Sequence, residues 1–233
     1  MKRIAVCLKP LPTDSRAGYT IWKRFPFGPT GINVLNYSRN IKRLYHTELI
    51  AFVMAPMKFY ESIKNLLSFG FDRLIYISDS NIAGADSLGT SKVLASAIIK
   101  YNCDAVIIGK YSEDSSTGQV PVQLSMGLNY ECVLDSKITK ESLLTGGIVV
   151  CVDNQYEEIY PSLNTITNVA ESNINVLNLS DLGLQKKDLR FTDVIHTKRL
   201  YEQSAALLPT KMLPEAAAKL IAEIVVNEAR KRK

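Results

Sequence analysis

Hydroxyl side chains, a glycine and the start of a helix can together hold the phosphate and sugar oxygens of a nucleotide, and one stretch of this chain supplies all three. In Gly109-Lys110-Tyr111-Ser112-Glu113-Asp114-Ser115-Ser116-Thr117-Gly118-Gln119-Val120-Pro121, the hydroxyls come from Ser115, Ser116 and Thr117, and Gly118 permits a close backbone approach. Free N–H groups at a helix start would complete an anion site. Ser, Thr and Asp also cap most strand-to-helix loops, so these residue types leave a plain cap as the alternative. No residue set pairs a nucleophile with a base or two carboxylates as acid and base. The only histidines are His46 and His196, which excludes a histidine metal cluster. Cys7, Cys103, Cys132 and Cys151 are dispersed with no CxxC pair, and read as small buried hydrophobes in a reducing compartment.

The elements around the stretch place it at a sheet edge. Asp104-Ala105-Val106-Ile107-Ile108 is an apolar β-branched run closed by Gly109, the pattern of a parallel strand buried on both faces. Val120 to Met126 has helical apolar spacing, with Pro121 in the first turn, where its missing N–H costs nothing. The loop therefore leaves the carboxyl end of a strand, the edge at which open α/β sheets bind ligands. Upstream, strands are expected at Ile4–Leu8, Leu49–Met54 and Arg73–Ile77. Helices are expected at Ile32–Tyr45, burying Val34, Leu35, Ile41 and Leu44, and at Tyr60–Phe69, closed by Gly70. A further helix over Ser87–Tyr101, capped by Asp86 or Ser87, would bury Leu88, Val93, Leu94, Ala97 and Ile98. This alternation predicts an α/β fold with a doubly wound, mainly parallel sheet.

Flanking segments are less regular. Pro10 and Pro12 take the chain out of the sheet after the first strand, and the aromatic piece Tyr19 to Phe27 reads as a hairpin-like edge folded on the core. Beyond Gly127, strands are expected over Cys132–Thr139 and Ile148–Val152, separated by Glu141 to Gly147. The tail holds a helix from Leu213-Pro214-Glu215 with an apolar stripe at Ala217, Leu220, Ile221, Ile224 and Val225. The expected division is a nucleotide-binding α/β domain over residues 1–184 and a C-terminal extension and arm over 185–233.

At 233 residues and 46% hydrophobic, the chain can bury one large core with an appendage. The net charge of +5 owes much to the terminal Arg230-Lys231-Arg232-Lys233, a solvated run and not a nucleic-acid footprint. No apolar run reaches membrane-spanning length, and Ile4–Leu8 is too short for a signal-peptide core, so membrane insertion is not expected and a cytoplasmic protein is.

Together with Ala83-Gly84-Ala85-Asp86-Ser87-Leu88-Gly89-Thr90-Ser91-Lys92, the loop resembles the β subunits of electron transfer flavoproteins. That family carries a GAD-[ST]-L-x-TS-[KR] segment followed by a G-[KR]-Q-x-x-D-x-x-TGQ loop. The likeness extends to the opening strand, Met1 to Pro12, to the Phe69-Gly70-Phe71-Asp72-Arg73 turn and to Tyr160-Pro161-Ser162-Leu163, covering most of the chain to about Leu184. It implies an electron-carrier subunit without catalytic residues of its own, which binds AMP and completes a heterodimer whose α subunit holds FAD. The implied nucleotide contacts are Cys7 and Met54 through backbone groups, with Asp114, Ser115, Ser116, Thr117, Gly118 and Gln119. Tyr160, Pro161, Ser162 and Leu163 stand where the family docks a flavin-dependent dehydrogenase, and the C-terminal arm stands where it crosses to the α subunit.

Two alternatives accompany this reading. One is an electron-bifurcating subunit with a second FAD in place of AMP, reacting with NADH; the other is a nucleotide-binding scaffold without electron transfer. Three departures from the family bear on them. Gly28-Pro29-Thr30-Gly31 replaces a segment whose Asn lies near the nucleotide, a strand pair between Thr139 and Ile148 is missing, and Thr167-Asn168-Val169-Ala170-Glu171 replaces a lysine-rich run.

Overall fold

The computed structural model describes residues 2–10, 27–113, 116–156 and 173–189. Their strands form one seven-stranded sheet in the order β5-β6-β4-β1-β2-β3-β7, with every pairing parallel. The strands are β1 (Arg3–Leu8), β2 (Glu48–Met54), β3 (Arg73–Ile77), β4 (Ala105–Gly109), β5 (Glu131–Leu134), β6 (Ile148–Val152) and β7 (Ile174–Leu177). Helices α1 (Pro29–Tyr45), α2 (Tyr60–Ile63) and α5 (Lys140–Thr145) lie on one face, and α3 (Ser87–Lys100) and α4 (Gln119–Leu128) on the other. This is the doubly wound α/β architecture expected from the alternation of elements.

Alternate residues of each central strand feed two cores. Ile4, Val6, Leu49, Ala51, Val53, Leu74 and Tyr76 point to the α1 side, and Ala5, Cys7, Ile50, Phe52, Ile75 and Ile77 to the α3 side. Such two-sided burial explains why these strands read as continuous apolar runs and not as alternating ones. Each fully buried Leu, Ile or Phe contributes roughly 1.5–3 kcal/mol, so the sheet centre is the stable scaffold from which the carboxyl-edge loops project. Strand order reverses between β1 and β4, because the chain winds outward from β1 through β2 to β3 and then returns to the other side of β1.

Several local expectations are corrected. Helix α1 begins at Pro29, three residues earlier than its apolar spacing suggested: Gly28 is the N-cap, Pro29 occupies the first turn, and Ile32 N donates to Gly28 O at 3.0 Å. Leu44, in the last turn of α1, and Leu88, in the first turn of α3, are exposed, not buried, since helical period alone does not decide which terminal positions are covered. The helix over Tyr60–Phe69 is one α-helical turn between 3₁₀ segments, ending at Gly70 in the left-handed region. Strand β5 stops at Leu134, where Asp135–Lys137 turns in 3₁₀ form, and the separator beyond it contains α5 under a Thr139–Ser142 capping box. Phe27 is buried in the α1-side core, while Tyr19 to Pro26, the stretch Tyr160–Leu163 expected to dock a dehydrogenase and the C-terminal stripe lie outside the described residues.

Candidate functional site

The strand order reverses between β1 and β4, the place at the carboxyl edge where open α/β sheets bind ligands, and the loop after β4 leaves the sheet there. Two contacts fix how that loop leaves the strand. Lys110 N donates to Val152 O at 3.0 Å, and the Lys110 ammonium pairs with Asp153 Oδ2 at 2.7 Å while lying 4.9 Å from the centre of the Tyr111 ring. The bond to Asp153 raises the pKa of Lys110, so its charge is secure throughout the physiological range. Gly109 is required here by close approach: a β-carbon would run into Thr30 Cγ2 of α1. The first turn of α1 is drawn to the loop by Glu113, whose Oε1 accepts from Thr30 N at 2.7 Å.

Ser116 is left-handed at φ 51°, with its N–H and its hydroxyl both turned to Ser112 O, at 2.8 and 3.1 Å. Gly118 is left-handed at φ 62° and is the N-cap of α4. A β-carbon at Gly118 would lie 3.1 Å from Tyr111 Cε1 and 3.3 Å from Lys110 O, so a side chain there would crowd the Tyr111 ring and the Lys110 carbonyl. Glycine has no side chain to cap with, and the first turn of α4 contains no acidic residue. Among the described residues no side chain accepts a hydrogen bond from that turn, whose backbone donors and positive dipole end lie at the carboxyl edge.

The sequence-derived site residues fall as follows. Cys7 is buried near the end of β1, paired across the sheet with Ile108 of β4, and burial pushes its thiol far above the ordinary range, so it is neutral and inert. Met54, half-buried, ends β2. Ser116, Thr117, Gly118 and Gln119 form the turn into α4, with Ser116, Thr117 and Gln119 exposed. Asp114 and Ser115 lie outside the described residues. The ends of β1, β2 and β4 share one edge, with β1 between its two neighbours.

Two features were not legible from residue types. Ser87 Oγ donates to Gln119 Oε1 at 2.8 Å, so the Ala83–Lys92 and Gly109–Pro121 stretches, distant in sequence, meet where α3 and α4 begin. Thr30 and Glu113 form the second cross-tie, and nothing in their spacing announces it. Among the described residues no group of three or more His, Cys, Asp or Glu could hold a metal ion, and no helix is long and apolar enough to cross a membrane.

Comparison of the sequence with known proteins points to a family. The model of the electron transfer flavoprotein domain matches residues 27–141, which include α1 through α4 and the whole loop. The chain is 28% identical over 210 residues to the caffeyl-CoA reductase–Etf complex subunit CarD of Acetobacterium woodii, covering 78% of this chain and 80% of that protein. It is 25% identical over 216 residues to the electron transfer flavoprotein subunit beta of Thermoanaerobacterium thermosaccharolyticum, covering 83% of each. Similarity to protein FixA of Sinorhizobium fredii is 29% over 163 residues, 63% of this chain and 56% of the relative.

Proposed function

Because the chain belongs to the electron transfer flavoprotein β-subunit family, as a divergent member, we propose that it binds AMP at the α4 start and completes a flavin-containing heterodimer with an electron transfer flavoprotein α-like subunit. The observation that carries the nucleotide part is the uncapped start of α4 at the strand-order reversal, flanked by Ser116 and Thr117 hydroxyls and by the ends of β1 and β2. In this reading the phosphate takes N–H groups at Gly118, Gln119 and Val120, Asp114, Ser115 and Thr117 line the ribose and phosphate, and backbone groups at Cys7 and Met54 meet the base. The flavin, when bound, supplies the electron-transfer chemistry. The work of this chain is to bind, to orient and to wall the flavin from water. The fit is chemical: exposed hydroxyls, and backbone donors that no side chain among the described residues claims, suit an anion with sugar oxygens. Docking to a flavin-dependent dehydrogenase through Tyr160, Pro161, Ser162 and Leu163, a location in the cytoplasm and the division at residue 184 belong to the same proposal.

Similarity to CarD, whose name places that protein in a complex with caffeyl-CoA reductase, favours a second reading in which FAD replaces AMP in this pocket and NADH is the electron donor. One experiment separates them. The chain is co-expressed with its α-like subunit, denatured, and the released nucleotides are weighed by mass spectrometry. One AMP and one FAD per heterodimer are expected; two FAD and no AMP would replace the first reading with the second. Absence of any nucleotide beyond the α subunit's FAD would overturn both and leave a scaffold.

A further inference from the structure

Four cysteines are scattered over the sequence, yet the fold brings two of them into contact. Cys132 Sγ and Cys151 Sγ lie 3.3 Å apart, on the adjacent parallel strands β5 and β6. The register explains the meeting: Cys132 stands opposite Val149 and Cys151 opposite Leu134, so the two side chains share one face of the sheet and lean together diagonally. From this geometry we propose that Cys132 and Cys151 are a reversible dithiol–disulfide pair, oxidised by peroxide. The pair needs no nucleotide and is independent of the function proposed above.

The two sulfurs are not equivalent. Cys132 is half-buried on β5, the strand at one border of the sheet, and small solutes reach it first. Cys151 is 5% exposed, and its thiol is pushed up to about 12, mostly by burial and then by the bond to Cys132. Peroxide therefore reacts at Cys132. A Cys132 S–O bond forms as the peroxide O–O bond breaks, and one water leaves. The Cys151 sulfur then attacks the Cys132 sulfur; the S–S bond forms, the S–O bond breaks and a second water departs, so two thiols and one hydrogen peroxide give one disulfide and two waters. The sulfurs must close by about 1.3 Å to reach bonding distance. Among the described residues β5 pairs with β6 alone, so its movement toward Cys151 breaks no second strand pairing there. Cys7 and Cys103 serve as internal controls, since both are buried and both thiols are raised chiefly by burial.

The test uses the full-length chain, reduced, freed of reductant and treated with a modest excess of hydrogen peroxide. Remaining thiols are blocked with N-ethylmaleimide after denaturation, and the protein is weighed and digested with trypsin. The expected result is loss of two thiols and a mass lower by two hydrogens before blocking. A linked peptide should join residues 111–137 to 141–186, disappear with dithiothreitol, and form at least ten-fold faster than Cys7 or Cys103 reacts. In the Cys132→Ser protein, Cys151 should remain blockable under the same treatment. Sulfinic acid at Cys132 with Cys151 still blockable, a Cys132-linked dimer on a non-reducing gel, or equal reaction at all four cysteines would overturn the proposal, as would four unreacted thiols. Each of these readouts is available from the unsubstituted chain, so the conclusion does not depend on the variant folding.

Discussion

Helices α3 and α4 pack against each other and leave the same edge of the same sheet, yet they begin in opposite ways. At α3 the Asp86 carboxylate accepts from Gly89 N at 2.8 Å, a side-chain cap in the ordinary sense. At α4 the cap position is a left-handed glycine without a side chain. Helix α1 follows the first pattern by a different route, since Glu113 reaches across from the β4 loop to Thr30 N. Where the chain needs only a stable helix it supplies an acceptor from its own residues. At the strand-order reversal none of the described residues supplies one, and the Glu113 carboxylate of the loop is turned to α1 instead. Among the described residues the difference between the two starts is thus one between a helix start with a side-chain acceptor and one without, and the proposed site makes use of the second.

Alkali should erase the difference, because it attacks the core on the opposite, α1-side face of the sheet that carries both helices. Burial pushes Tyr37 and Tyr76 from 10.0 up to about 12. A folded pKa above the unfolded value stabilises fully below pH 10 and is lost as pH rises toward 12, at about 1.4 kcal/mol per unit for each group. Circular dichroism should therefore show unfolding between pH 10 and 12, with nucleotide release at the same midpoint. Release well below pH 10 from a folded protein would reveal a titrating group within the site itself.

Gly118→Ala should separate the starts most sharply of any single substitution. Its left-handed backbone costs a residue with a β-carbon about 1–2 kcal/mol, and the added atom crowds Tyr111 and Lys110 O. Stability in urea should fall by about that amount, and nucleotide retention by ten-fold or more. The larger Gly118→Val should exaggerate both, so loss of nucleotide there mixes strain with obstruction of the phosphate. Gly127→Ala, later in the same helix, meets only Ala95 Cβ at 3.5 Å and should stabilise by about 0.5–1 kcal/mol. Equal behaviour of the two variants would mean that the Gly118 conformation is incidental.

At the capped start the loss should be one of stability alone. Asp86→Ala is expected to cost about 1 kcal/mol in urea denaturation, while retained nucleotide stays within two-fold. Nucleotide lost as fully as in Gly118→Ala would show that both helix starts face the ligand, and that the comparison drawn above is wrong.

How far these features could be read in advance depends on whether their cause is local. The central strands were legible because Ile4–Leu8, Leu49–Met54 and Ala105–Ile108 carry apolar side chains on both faces, a pattern only a covered parallel strand tolerates. Strand β7 was not recognised as part of the sheet: it is a border strand with Asn175 and Val176 exposed, so its pattern lacks a continuous buried face. Leu44 and Leu88 fit the helical period, but period alone does not decide which terminal positions are covered. The loop's hydroxyls were visible in the sequence. Its contacts were not, since Thr30 with Glu113, Ser87 with Gln119, and Cys132 with Cys151 are set by which strands the topology makes adjacent.

The finest test adds charge at the uncapped start without disturbing its geometry. In Gln119→Glu the new side chain keeps an oxygen for the Ser87 hydroxyl, which now donates to Gln119 Oε1 at 2.8 Å. Residue 119 is the first residue of α4, where a negative charge complements the helix dipole and stabilises by roughly 0.3–1 kcal/mol. If the donors beside it serve only the helix, the variant should be slightly more stable and otherwise unchanged. If they hold a phosphate, the same carboxylate opposes a second anion, and retained nucleotide should fall several-fold although stability rises. Opposite signs in the two measurements, denaturation of the nucleotide-free protein and nucleotide content of the folded one, are the expected outcome. Parallel changes would place the anion elsewhere on the sheet edge. Raising salt should shrink both effects, because residue 119 is exposed and its charge is screened.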